Sequence, residues 1–348
     1  MENMDMKKIL VTGHCGYIGS LLTKMLLQQG YPVTGLDTVF FGSACELFPP
    51  DGEFRAIKKD IREVAEKDLE GVYAICHLAA LSNDPMGAMD PELTRNINHK
   101  ASVRLAKLAK KAGVERFIFS SSCSMYGISD GSQALTEDAP FNPVTAYAKS
   151  KVDSEHDILP LGDESFCVTF LRNTTAFGTS PKLRVDLVVN NLVGWAVTTG
   201  EIRIMSDGTP WRPLIHAEDI ARAFIAVTEA PQATVNRQAF NTGINEENYR
   251  VREIAETVGA VIPGCRINIT GEHGNDSRSY RVDFTRIKTA LPGFRPQWNL
   301  RKGVEDIYDN YLRYNMDWER FNGRYFVRLK QLQHLLHMGY VSNELYWL

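Results

Sequence analysis

Tyr147 and Lys151 stand four residues apart in AYAKSK, a stretch of helical character, so their side chains share one face of a single turn. A phenol with an unperturbed pKa of ~10 is a poor base at neutral pH. A lysine one turn away stabilises the phenolate and brings proton removal from an alcohol within reach. Ser122 closes the apolar run RFIFSSS and offers a hydroxyl to the oxygen being oxidised. A Tyr-x-x-x-Lys string by itself also describes a plain exposed helix face. These three residue types become chemistry only beside a hydride acceptor.

The acceptor's site is legible at the other end of the first half. KILVT reads as a strand and leads into Gly13-His14-Cys15-Gly16-Tyr17-Ile18-Gly19 and then a helix. Glycines at these spacings allow a tight turn, a close backbone approach to a pyrophosphate and close helix–strand packing. The helix N-terminus adds free N–H groups and a positive dipole end. A second strand ends in Gly35-Leu36-Asp37, where a carboxylate accepts both ribose hydroxyls of an adenosine and repels a 2′-phosphate. Thr38, Val39, Phe40 and Phe41 bring no arginine for that phosphate, so the reading is NAD rather than NADP, with a turn aspartate as the bland alternative. Asp60 and Ile61 follow the third strand, within reach of an adenine amino group. Leu78, Ala79 and Ala80 end the fourth with small residues against which a cofactor, or simply a helix, can lie.

Those residues must be held by regular elements, and the chain supplies them. Lys8–Thr12, Pro32–Asp37, Phe54–Lys58, Val72–Leu78 and Arg116–Ser121 read as strands; Ile18–Gln29 and the segment 91–112, closed by Gly113, read as helices. Strands alternating with helices predict a parallel sheet covered on both faces, and near-continuous apolar runs such as FIF suit strands buried on both sides. The expected fold class is therefore α/β, a Rossmann-like doubly wound parallel sheet with a smaller C-terminal α/β substrate-binding region. The expected division is a dinucleotide-binding domain over 1–172, with a return segment near 213–243, and a substrate-binding region over 173–348. In the second part 187–199 and Val251–Val261 read as helices, AFNTG as a strand and SDGTPWRP as a loop. The aromatic and basic tail from Trp318 reads as a packed C-terminal helix, with an oligomer contact as the alternative.

Composition narrows the class. The 348 residues carry 39 Lys+Arg against 42 Asp+Glu, a formal net charge of -3, so no basic excess points to nucleic acid or an anionic membrane. No apolar run reaches the ~18 residues of a membrane span. Six cysteines are scattered without a CxxC pair, which suggests neither a metal site nor a disulfide framework. The N-terminus shows no apolar signal core, and a reducing cytoplasm is the expected location.

The pieces VTGHCGYIG, KKDI, HLAALS, the helix with Asn98, FIFSSSCSMYG, AYAKSK, LRNTTAFG and RPLIHAEDIA, spread over residues 7–315, resemble the extended short-chain dehydrogenase/reductase family, in particular its nucleotide-sugar epimerases and dehydratases. The resemblance implies Ser122, Tyr147 and Lys151 as catalytic triad, with Asn98 joining the cofactor residues. It also implies NAD on the glycine loop and a homodimer formed through the helices 91–112 and 147–159. A monomer with those helices packed internally is the alternative.

Dehydratases and decarboxylases of that family carry a glutamate two places after the catalytic hydroxyl residue; here Ser122-Cys123-Ser124 puts a serine there. The resemblance therefore implies a 4-epimerase that removes a hydride from a ring carbon and returns it. An NAD(P)H-dependent 4-ketoreductase is the alternative, followed by a 4,6-dehydratase and, more remotely, a non-catalytic dinucleotide-sensing regulator. Ser82, Ser124, Thr175, Asn190 (or Asn191), Arg212 and Arg278 are the candidate contacts to a nucleotide sugar. Thr175 replaces the family's asparagine in LRYFN, and the two arginines suit its diphosphate.

Overall fold

A computed structural model describes residues 7–49, 52, 54–129, 131–271 and 278–348. Its strands are β1 (Lys8–Thr12), β2 (Val33–Asp37), β3 (Arg55–Lys58), β4 (Val72–His77), β5 (Arg116–Ser122), β6 (Ala134–Leu135), β7 (Cys167–Asn173), β8 (Thr175–Phe177), β9 (Glu201–Ile204), β10 (Trp211–His216), β11 (Gln238–Thr242), β12 (Asn248–Arg250), β13 (Arg266–Ile269) and β14 (Arg281–Val282). Seven form a parallel sheet in the order β11-β7-β5-β4-β1-β2-β3. The strand order reverses between β1 and β4, and a crevice opens at their carboxyl ends, as a doubly wound sheet requires. This is the Rossmann-like α/β fold the alternation foretells.

Period-two alternation sends neighbouring residues of each central strand into different layers. Ile9, Val11, Ala74, Cys76 and Ile118 join the cluster built on the helices Tyr17–Gln28 and Ala217–Glu229. Leu10, Ile75, Phe117, Phe119 and Phe170 join the opposite cluster, with Leu105, Ala106 and Ala109 of the helix Ala101–Lys111 and Ile158 of the helix Ala146–Ile158. Both layers exclude water, so the middles of the central strands carry apolar residues on both faces.

A third apolar cluster lies beside the sheet, built from the helices Val188–Thr199, Val251–Val261 and Leu300–Arg313 with β9 and β10. Here the loop reading of SDGTPWRP fails in its second half: Trp211-Arg212-Pro213 open β10, paired to β12 across Tyr249 and Arg250. β10 is the middle strand of this small sheet, but its pairing with β8 starts only at Leu214, so Pro213 has a ladder on one side alone and is tolerated there. The segment 91–112 is helical throughout, with a stretch of wide turns at Arg95–Lys100 between Pro91–Thr94 and Ala101–Lys111. The tail forms two helices, Trp318–Asn322 and Arg328–His337, and the second packs Leu332 and Leu335 into the sheet's own core.

Candidate active site

The crevice is a cleft of about 1040 Å³, at the upper end of the range for ligand sites and large enough for a dinucleotide with a second ligand. One wall is the glycine loop. Gly13 has φ +79°, and a Cβ there would stand 2.8 Å from the Ala79 nitrogen; a Cβ at Gly19 would overlap the Gly13 carbonyl oxygen. Glycine is thus forced at both points by backbone against backbone. Gly16 caps the helix Tyr17–Gln28 without any side-chain hydrogen bond, and no acidic residue occupies its first turn. Its leading N–H groups and dipole are left for an anion.

Asp37 ends β2 with its Oδ1 accepting from the Val39 N–H at 2.7 Å and Oδ2 from the Cys15 N–H at 3.1 Å, which fixes the carboxylate at the cleft wall. Gly13, Gly16, Tyr17, Ile18, Gly19, Ile61, Leu78, Ala79 and Ala80 line the same space. Asp60 lines it too, yet its carboxylate is gripped by Arg62 through Nε (2.9 Å), Nη2 (2.7 Å) and the backbone N–H (2.7 Å). The arginine, invisible to a reading of strand ends alone, takes up most of the acceptor capacity assigned to adenine.

Two assignments change. Asn98 does not line the cleft: its Oδ1 accepts from the Leu81 N–H at 2.8 Å and its Nδ2 donates to the Leu81 carbonyl at 3.1 Å, so it holds the HLAALS loop in place. Asn190 is 0% exposed and bonds the Gly178 N–H, Tyr17 Oη and the Arg184 carbonyl. It knits Tyr17 to the loop at Gly178, and its neighbour Asn191 lines the cleft instead. In both cases helical phase, uncertain by one residue from sequence, decides which side chain faces in.

The helix Ala146–Ile158 starts at Thr145, whose Oγ1 accepts from the Ala148 N–H at 3.1 Å. That cap sets the turn on which Tyr147 and Lys151 sit. Lys151 donates Nζ to the Ser120 carbonyl at 2.7 Å and lies 5.6 Å from the Tyr147 ring centre. Burial pushes Lys151 down to about 7, opposed by Glu155. Burial likewise pushes Tyr147 up to about 12, reinforced by the Asp84 charge and opposed by the hydrogen bond with Ser122. Ser122, Tyr147 and Lys151 therefore meet at the end of β5, each lining the cleft.

Beyond them lie Ser82, Ser124, Thr175, Arg212 and Arg278. Arg278 pairs with Asp84 at 2.8 Å, Asp84 accepts from Thr145 Oγ1 at 2.6 Å, and Arg212 donates Nη1 to the Arg278 carbonyl. Among the described residues Ser124 Oγ and Asn173 Oδ1 are buried without a hydrogen-bond partner, and both residues line the cleft. Buried polar atoms without partners mark where a ligand's polar groups belong. Sequence reasoning missed Asn173, Asp84 and the Arg184–Asp186 pair (2.6 Å). Asn173 sits inside the quoted LRNTT string and could have been found there; the other two carried no motif.

A Rossmann-like sheet with a glycine loop, a strand-end aspartate and a Ser–Tyr–Lys set in one cleft defines a dinucleotide-dependent enzyme of the short-chain dehydrogenase/reductase type. Residues 9–243 match the model of the NAD dependent epimerase/dehydratase family, and the chain belongs to that family. It is 30% identical over 309 residues to a UDP-glucose 4-epimerase of Mycolicibacterium smegmatis, covering 85% of this chain and 96% of that one. A Bacillus subtilis UDP-glucose 4-epimerase is 29% identical, covering 86% and 94%. Among solved structures, MoeE5 in complex with UDP-glucuronic acid and NAD superposes with a TM-score of 0.74 at 28% identity, covering 88% of this chain and 99% of that one.

Proposed function

We propose that this protein is an NAD-dependent 4-epimerase of a nucleotide-activated sugar, with a UDP-sugar as the substrate class. The observation that carries the reading is the convergence of Ser122, Tyr147 and Lys151 in the cleft that begins at the glycine loop, with Ser124 rather than a carboxylate two places beyond Ser122. Loss of water across a sugar ring needs an acid–base carboxylate there; epimerisation does not. The relatives named UDP-glucose 4-epimerase support the same reaction, and the MoeE5 complex supports a UDP-sugar with NAD.

The residues present fit NAD. The uncapped helix and glycine loop receive a pyrophosphate, Asp37 a ribose diol, and the orphaned Asn173 Oδ1 a donor beside the catalytic lysine. Bound NAD supplies reversible hydride acceptance at a ring carbon. The protein's own part is the proton. Tyr147 Oη takes it from the sugar hydroxyl and gives it back, Ser122 Oγ shares that hydrogen bond, and Lys151 lends its charge to the phenolate. Arg212 and Arg278, joined by a hydrogen bond at the cleft wall, hold the substrate's diphosphate so that the freed sugar can present either face.

The test is incubation of the purified protein with UDP-glucose, UDP-galactose, UDP-glucuronic acid and their N-acetyl relatives, read by NMR. Exchange of configuration at C4 without net change in NAD supports the reading. Stoichiometric consumption of added NADH or NADPH on a keto-sugar nucleotide replaces it with a ketoreductase. The assignment of residues 1–172 and 213–243 to the cofactor, the homodimer through the helices 91–112 and 147–159, and a cytoplasmic location belong to the same proposal. They rest on family membership; light scattering tests the dimer.

A further inference from the structure

The C-terminal segment returns to the adenosine end of the cleft. Trp347 donates Nε1 to the Thr38 carbonyl at 2.6 Å, and Lys58 Nζ stands 4.1 Å from its ring centre. Gln331 donates Nε2 to the Phe40 carbonyl at 3.3 Å, and Arg62, the residue that grips Asp60, donates Nη1 to the Glu344 carbonyl at 2.8 Å. The loop that follows Asp37 is thereby fastened from outside by the end of the chain.

Arg328 sits inside this strap. It is 2% exposed, lines the cleft, donates Nη2 to the Lys182 carbonyl at 2.7 Å and lies 4.2 Å from the Phe41 ring centre. Its Nη1 has no hydrogen-bond partner, and no carboxylate pairs with it among the described residues. Burial and the neighbouring Arg184 charge lower its pKa to about 10, so it is still cationic at neutral pH. A buried guanidinium without an anion is costly, and an anion that belongs to a ligand removes the cost only while the ligand is bound. The carboxylates nearest the cleft in this region are already engaged: Asp186 with Arg184, Asp37 with two backbone N–H groups.

We propose that Arg328 is a phosphate-binding residue of the cofactor site, contributing a charge-assisted hydrogen bond to the diphosphate of the dinucleotide, and that the C-terminal strap exists to place it. The inference rests on the NAD reading of the cleft. The cofactor's diphosphate is chosen over the substrate's because Arg328 lies beside Phe41, on the loop that follows Asp37, whereas Arg212 and Arg278 are tied to one another and to Asp84. A guanidinium prefers a phosphate to any uncharged part of the dinucleotide.

The experiment compares ligand-stripped wild type with Arg328→Gln and Arg328→Lys, using calorimetric titration of ADP-ribose and of adenosine. The expected result for Arg328→Gln is ADP-ribose binding weakened about 10- to 100-fold with adenosine unchanged, as for loss of a hydrogen bond to a charged group. Arg328→Lys falls between, because a point charge replaces the fork. That lysine variant also carries the test if the glutamine variant does not fold. Unchanged ADP-ribose affinity overturns the proposal, and so does an equal loss for adenosine, which would make Arg328 a prop for the strap. Wild type that binds neither ligand brings down the cofactor reading and this inference together; wild type that binds ADP-ribose while the variants match it brings down this inference alone.

Discussion

Lys151 directs its ammonium to the Ser120 carbonyl oxygen, 2.7 Å away, while its Nζ lies 5.6 Å from the Tyr147 ring centre. The charge is therefore anchored to the strand and held near the phenol rather than spent on it. Burial pushes the phenol up to about 12 and the lysine down to about 7, so the protein interior biases both groups toward their neutral forms.

Removing the phenolic oxygen separates binding from chemistry. Tyr147→Phe is expected to lower kcat about 10²- to 10⁴-fold, the range for a positioned acid–base group, with cofactor affinity retained. NMR of the sugar products and the NAD released per chain on denaturation check it. Unchanged turnover would remove the proposed mechanism.

The lysine leaves a signature in stability against pH. Its folded pKa of about 7 lies below the ~10.4 of an unfolded chain, so between those values the unfolded chain binds the extra proton. Stability of the ligand-free protein therefore rises with pH across that window, and the penalty is complete below it. Lys151→Met should raise Tm relative to wild type most at and below neutral pH, with the difference shrinking toward pH 10. Thermal melts across that range test this; a constant difference would mean that the lysine is not desolvated.

The proposed role of Asp37 is to select the dinucleotide. Its carboxylate is fixed at the cleft wall by the Val39 and Cys15 N–H groups, where it would meet a ribose as a charge. Asp37→Ser is expected to weaken NAD by about 10-fold or more, the scale of a hydrogen bond to a charged group, and to raise the NADP/NAD affinity ratio. Titration with both reduced cofactors reads the ratio directly.

Between the helix Ala146–Ile158 and β7, Glu155 and Arg172 form a buried pair, with Nη2 to Oε2 at 2.7 Å and Nε to both oxygens at 3.1 Å. Glu155→Leu should cost about 3–5 kcal/mol by stranding the guanidinium, and Glu155→Leu with Arg172→Met should cost less. Urea unfolding of the single and double variants measures the difference. A double variant as unstable as the single would show that packing, not charge, holds this region.

What the amino-acid string determined on its own was whatever depends on short spacing. The glycine loop, the strand-end aspartate and the Tyr147–Lys151 turn are local, because backbone sterics and helical period fix them within a few residues. Apolar runs alternating with helices set the doubly wound sheet for the same reason, since the middle of a strand buried on both faces must be largely apolar. Helical phase was the first thing to slip: Asn98 and Asn190 face the interior, and Asn191 faces the cleft. Tertiary structure alone decided the rest. Arg184, Asp84 and Arg328 come from a loop, a short helix and the C-terminal tail, and Arg62 reaches Asp60 and Glu344 together. No periodicity links such residues, because what brings them together is the order of strands in the sheet and the return of the tail across it.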